Sequence, residues 1–244
     1  MSEPREPRVC VVIPARNEEV LLPGALRSVA EQTLPAERVE VVVAVNGTTD
    51  RTAEIAERMG RECTAAGGPT VRVIQLPRPG VARAKNAGVA AAIGELIVFL
   101  DADSRMSSNL LEEVVARAAR GERAASIRIV ADGDDLLDRA FFLLIEHGKR
   151  IVGTRANLFW CDRALFTALG GFDERLNHAE DLDFLVRARR AGVRVGHITR
   201  AWIATSPRRL HRLPLRLGML TMLGRWALGH VGIGRTWPYS GGGE

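Results

Sequence analysis

The stretch Gly94-Glu95-Leu96-Ile97-Val98-Phe99-Leu100-Asp101-Ala102-Asp103 decides how this chain is read. Its five apolar residues, Leu96 to Leu100, run unbroken into an acid, a small residue and a second acid. An apolar run of this length reads as a strand buried on both faces, as in a parallel sheet covered by helices. Strand side chains alternate, so Asp101 and Asp103 project together from the C-terminal end while the chain stays extended. Ligands of open α/β sheets bind at such ends. Two carboxylates there, with no basic residue between them, suit a divalent cation.

Outward from this stretch, strand and helix signals alternate. Arg8–Ile13 reads as a first strand broken by Pro14, and Val20–Gln32 is helical by the spacing of Leu22, Leu26 and Val29. Val39–Val45 and Val71–Leu76 are further strands. Thr52–Met59 and the alanine-rich Val81–Ile93 are helices, ending near Gly60 and Gly94. Cys63–Pro69 reads as a loop. This order predicts a parallel sheet with helices on both faces. Right-handed crossovers then bring the loops Arg16–Glu18, Asn46–Asp50, Arg78–Lys85 and Asp101–Asp103 to one edge. Beyond Asp103, the patterns predict helices over Asn109–Arg120, Leu136–His147, Arg163–Leu169 and Asn177–Ala191. Strands are predicted at Ala124–Val130, Arg155–Trp160 and Val193–Ile203.

The chain has 244 residues, 46% of them apolar and 26% charged, an ordinary globular composition with material for a real core. Its 34 basic and 29 acidic side chains are unevenly placed. Ser206–Glu244 holds six arginines and one acid, which leaves 28 of each sign in Met1–Thr205. The basic excess belongs to the tail, which argues against a nucleic-acid-binding domain. Cys10, Cys63 and Cys161 are scattered and odd in number, so no disulfide framework is expected and a reducing cytoplasm suits them. The polar, proline-rich start does not read as a secretion signal. The expected organisation is a disordered N-terminus over 1–8, one domain over 9–205 and a basic, apolar extension over 206–244. Apolar residues at Leu215, Met219, Met222, Leu223 and Trp226 give the extension helical spacing, interrupted by Arg216 and Arg225. It is expected to pack on the domain or a second subunit, or to lie on the inner face of the plasma membrane.

Several motifs, in order, resemble the inverting family 2 glycosyltransferases, which have the GT-A fold, a Rossmann-like α/β fold with a mainly parallel central sheet flanked by helices. Val12-Ile13-Pro14-Ala15-Arg16-Asn17-Glu18 is similar to the family's opening strand and loop, and Asn46-Gly47-Thr48-Thr49-Asp50 to its "DGSTD" loop. Ala84-Lys85-Asn86-Ala87-Gly88, Gly94-Glu95 and Asp101-Ala102-Asp103 resemble the "ARNxG … GE … DAD" block, which carries the DXD motif. Asn157 to Arg163 and Gly170-Gly171-Phe172-Asp173-Glu174 look like the acceptor-side segment, and Glu180-Asp181 like the "ED" pair. The resemblance spans about Val9 to Thr205. Two positions depart from it: Asn46 stands where an aspartate usually contacts the base, and Thr205-Ser206 stands near the usual histidine. His197 and His211 are weak substitutes for that histidine.

The resemblance implies a donor site built from Pro14, Ala15, Arg16, Glu18, Asn46, Lys85, Asp101, Ala102 and Asp103. In it, Asp103 binds Mn²⁺ or Mg²⁺, and Asp101 serves the ribose and the metal shell. Asn157 and Trp160 fall on the acceptor side, Trp160 as a core aromatic or a sugar platform. Asn177 and Glu180 have capping-box spacing. Asp181 lies off the buried stripe of Leu182, Leu185 and Val186, in the first turn, where the helix N-terminus favours an anion of ordinary pKa. It is the expected base and Glu180 its catalytic partner, with Asp183 supporting. The expected activity is inverting transfer from a nucleotide-diphosphate sugar, UDP-linked first and GDP-mannose second, to an acceptor hydroxyl. A retaining transferase, or a non-catalytic nucleotide-sugar-binding or membrane scaffold subunit, are the competing expectations.

Overall fold

The computed structural model describes residues 8–152, 158–176 and 179–211, together with Met219 and Gly224. Met1–Pro7, Asn157, Asn177 and nearly all of the C-terminal extension lie outside the described residues.

The first half is a strand–helix alternation. It comprises β1 (Val9–Ala15), α1 (Leu22–Ala30), β2 (Val39–Asn46), α2 (Thr52–Ala65), β3 (Thr70–Leu76), α3 (Val81–Ala91) and β4 (Leu96–Phe99). The second half adds β5 (Ser104–Met106), α4 (Leu110–Ala119), β6 (Ala124–Ala131), α5 (Leu136–Val152), β7 (Phe159–Asp162), α6 (Arg163–Ala168), α7 (Glu180–Arg190), β8 (Val195–Thr205) and α8 (Arg208–His211). One sheet runs in the order β3-β2-β1-β4-β7-β6-β8-β5. β3, β2, β1 and β4 are parallel, as expected. Past β4 the sheet becomes mixed: β7 is antiparallel to both β4 and β6, β8 runs parallel to β6, and β5 pairs antiparallel with the end of β8. The expected loop at Cys63–Pro69 begins later, because α2 continues to Ala65.

Alternation along the central strands builds two cores. On one face Val11, Ile13, Val98, Leu100 and Trp160 pack with Leu22 and Leu26 of α1 and with Leu110 and Leu111 of α4. On the other, Val12, Ile97, Phe99 and Phe159 pack with Val89 of α3, Phe166 of α6 and Leu182, Phe184 and Leu185 of α7. α3 lies very close to β1, since a Cβ added at Gly88 would stand 2.4 Å from Val12 Cγ1. Gly88→Ala is therefore expected to push α3 off the sheet and to lower stability by about 1–3 kcal/mol in a urea titration. Among the described residues no helix is long and apolar enough to cross a membrane.

Candidate active site

The post-strand loops converge at one sheet edge and are stitched together. Asn17, at φ 54°, accepts through Oδ1 from Thr48 Oγ1 at 2.9 Å and from the Thr49 amide at 2.9 Å. The Glu18 amide donates to Thr52 Oγ1 at 2.8 Å, and the Glu19 amide to Asp50 Oδ2 at 3.2 Å. Asp50 also accepts from the Thr52 amide at 2.9 Å, tying down the start of α2. Burial works against its ionisation, but bonds from Thr52 and Thr48 hold its carboxyl below the usual range. Arg16 Nε reaches the Gly47 carbonyl at 3.4 Å beside the buried Pro14 and Ala15. Asn46 is buried and committed: its Nδ2 donates to the Ala15 carbonyl at 3.1 Å, and its Oδ1 accepts from the Gly80 amide at 3.1 Å. Asn46 thus knots three loops together at the position where the base contact is expected.

β4 stops at Phe99, and the chain then turns, closed by the Ser104 amide on the Asp101 carbonyl at 3.0 Å. Asp101 and Asp103 therefore do not lie two apart on an extended strand. The turn buries Ala102 and leaves Asp103 only 5% exposed, with Asp101 half-buried. The Ser206 amide donates to the Asp103 carbonyl at 3.0 Å, and Ser104 Oγ donates to Thr205 Oγ1 at 3.1 Å, so the end of β8 is fastened beside the turn. This fastening is what β5 provides.

α7 presents Glu180, Asp181 and Asp183 in its first turn. Its cap position is Ala179, at φ 57° and with no side-chain cap bond, so the expected capping box is not how this helix starts. Glu180 is buried and accepts instead from Lys85 Nζ at 2.6 Å. Lys85 is only 4% exposed, with Nζ 5.5 Å from the Phe172 ring centroid and 6.0 Å from that of Phe99. It faces the acids of α7 from within the aromatic cluster rather than standing open at the donor loops. Burial alone would lower its pKa, but Glu180, Asp101 and Asp181 outweigh that and raise it. Asp183 pairs with Arg187 one turn on, at 2.7 Å.

Asp181 departs from the expected ordinary pKa. Burial and then the neighbouring Glu180 raise it to about 7, against Lys85 and the Leu182 amide, which favour the anion. Asp181 is half-buried and off the stripe of Leu182, Phe184 and Leu185, so its place on the helix is the expected one and only its ionisation differs.

Trp160 is 0% exposed, in register with Val98 and Ala125 at the middle of the sheet. It is a core residue, and its ring offers no face to a sugar. His197 Nδ1 lies 2.9 Å from Ser126 Oγ, and His211 Nε2 lies 3.0 Å from Asp138 Oδ2. Both histidines are engaged away from Asp103. The residue that sequence reasoning missed is Arg208. Its Nη2 pairs with Glu18 Oε1 and lies 3.4 Å from Asp103 Oδ2, joining the first loop to the aspartate turn. The available signal was its position two residues past the β8–turn junction at Ser206, but it had been counted only as tail charge.

Among the described residues no group of three or more His, Cys, Asp or Glu side chains could hold a metal by itself. Asp101 and Asp103 nonetheless offer hard oxygen ligands, and Mg²⁺-type sites use one or two carboxylates completed by substrate phosphates. The residues present fit a cation that arrives with a diphosphate.

Solved structures share this fold. The crystal structure of S. aureus TarS 1–349 aligns with a TM-score of 0.67 at 22% identity, covering 94% of this chain and 73% of that one. The mannosyltransferase PcManGT from Pyrobaculum calidifontis, solved with GDP-Man and Mn²⁺, aligns with a TM-score of 0.66 at 22% identity, covering 90% and 65%. Both match it as GT-A structures. In sequence, the probable glycosyltransferase YdaM of Bacillus subtilis is 24% identical over 208 residues, 78% of this chain and 48% of its own length. The chain spans about half or less of the length of the curated relatives it matches. The family model described as glycosyl transferase family 2 matches residues 10–169, and with the converged loops, the aspartate turn and the acidic helix start, this chain belongs to that family.

Proposed function

We propose that this chain transfers a glycosyl group from a nucleotide-diphosphate sugar to an acceptor hydroxyl with inversion at the anomeric carbon. The observation that carries the reading is the meeting of α7 with the aspartate turn: Asp181, with a pKa raised to about 7, shares one charged cluster with Glu180, Lys85 and Asp101. A base works best when its pKa lies near the operating pH, and such catalysis contributes about 10²–10⁴-fold. Asp181 takes the proton of the acceptor hydroxyl as that oxygen attacks the anomeric carbon, and the nucleotide diphosphate leaves from the opposite face. Lys85 holds Glu180 and keeps a positive charge beside Asp181, which limits how far its pKa climbs. The stitched loops from β1, β2 and β3 receive the nucleotide. Asp103, with Asp101, would hold Mn²⁺ or Mg²⁺, which neutralises charge on the departing diphosphate when bound.

UDP-sugars are the first donors to test, because TarS has been solved with UDP-GlcNAc, and GDP-mannose is the second, because PcManGT has been solved with GDP-Man. The proposed catalytic domain is residues 9–205, continued by the segment through α8 that reaches back to Glu18 and Asp103. Thermal shift against a panel of nucleotide sugars with Mn²⁺ is expected to single out one nucleotide. Saturation at 100 times Kd would add about 2.7 kcal/mol of stability. If no nucleotide raises Tm, the donor half of this proposal fails.

A further inference from the structure

We propose that Arg208 is a donor-site residue whose guanidinium keeps its hold on Glu18 and exchanges Asp103 for the diphosphate of the nucleotide sugar. This deepens the donor reading above and rests on it.

Three observations carry it. First, Arg208 bridges two carboxylates from distant parts of the chain, one on the first loop and one on the aspartate turn. An arginine between two acids at a strand edge is a charge held ready at the place where a diphosphate has to be neutralised. Second, the guanidinium is not saturated by these contacts. Its Nε–H is buried and has no hydrogen-bond partner among the described residues. A buried donor without an acceptor is costly, and a phosphate oxygen is the acceptor that a planar guanidinium suits best. Third, the backbone that carries Arg208 is fixed on both sides. Ser206 is bonded to Asp103, Leu210 is buried against Phe141, Phe142 and Ile145 of α5, and His211 is paired with Asp138 of the same helix. The exchange is therefore a side-chain movement about an anchored pivot.

The exchange follows from charge. Arg208 Nη2 stands 3.4 Å from one oxygen of the Asp103 carboxylate, and a divalent cation on that carboxylate would be repelled by the guanidinium. A metal–nucleotide complex brings its own anion, so the guanidinium loses one partner and gains another in a single event. Glu18, buried at the first loop, keeps the arginine close throughout.

The test uses the full chain and compares wild type with Arg208→Gln, Arg208→Lys and the exposed β8 control Arg200→Gln. Calorimetry would measure UDP and GDP against the corresponding monophosphates in Mn²⁺, and electron paramagnetic resonance would measure Mn²⁺ binding without nucleotide. In Arg208→Gln, affinity for the preferred diphosphate is expected to fall about 10- to 100-fold, with the monophosphate changed within about twofold. Mn²⁺ alone should bind more tightly, because its competitor for Asp103 is gone. Arg208→Lys should lie between wild type and Arg208→Gln, and Arg200→Gln should match wild type. Equal losses for both nucleotides, no loss for either, or unchanged Mn²⁺ affinity would overturn the proposal. If wild type binds no nucleoside diphosphate, the donor reading falls first and this inference with it. If wild type binds and Arg208→Gln binds equally well, only this inference falls.

Discussion

Asp181→Asn is expected to bind donor nucleotide as wild type does and to transfer sugar about 10²–10⁴-fold more slowly. The amide keeps the size and the bond to the Leu182 amide but cannot take a proton. Survival of most activity in the variant would favour a retaining mechanism and remove Asp181 from the role of base. The wild-type rate should also rise with pH through about 7, the value to which burial and Glu180 push this carboxyl. Glu180→Gln removes the nearest negative charge and should move that limb to lower pH. The stability consequence has a definite sign. A carboxyl whose folded pKa is raised above its unfolded value near 4 favours folding at low pH, and that contribution is lost as pH rises through about 7. Asp181→Asn should therefore unfold at higher temperature than wild type at pH 8, with the difference closing towards pH 4. A variant that is more stable and inactive is what a functional, partly desolvated acid predicts.

Lys85→Met has the larger expected effect on the fold. It leaves Glu180 buried beside Asp181 with its ammonium partner removed, and breaking a buried pair in this way costs about 3–5 kcal/mol. For a chain of this size that lowers Tm by roughly 10 °C, readable by calorimetry near pH 7.5. The double variant Lys85→Met/Glu180→Gln should recover much of the loss, since an uncharged pair no longer carries an uncompensated charge. A change of less than about 2 °C in the single variant would mean that water, and not Lys85, stabilises Glu180. The same substitution should push the pKa of Asp181 further up, because Lys85 is the largest influence opposing its rise.

Much of the fold was legible because its central strands are long apolar runs bracketed by polar loops. β1, β2 and β4 are buried along their whole length, so their composition announced them. β5 was not legible: three residues after a turn carry no periodicity, and its strand character comes from pairing with the end of β8. The aspartate pair is visible in the sequence but its geometry is not, because nothing in the apolar run marks the turn that follows Leu100. Asn46 and Trp160 show a related limit. Their residue types permit a ligand contact, and only the neighbours reveal that Asn46 is held by two other loops and that Trp160 is enclosed by the core. The raised pKa of Asp181 is the sharpest case, because a helix's own periodicity says nothing about desolvation by the rest of the fold or about the charge of Glu180 beside it. Arg208 is hidden for the opposite reason: among six arginines in the tail, nothing in the sequence marks the first as the one that reaches Glu18 and Asp103.

The stitching among the first loops bears on the thermodynamics of recognition. Asn17, Asn46, Glu18 and Asp50 already fix the three segments to one another through directional bonds. Their conformational entropy has been surrendered during folding, so a nucleotide entering this edge meets a preorganised surface. Association should then carry a small ordering penalty, and hydrogen exchange in these loops should change little on ligation.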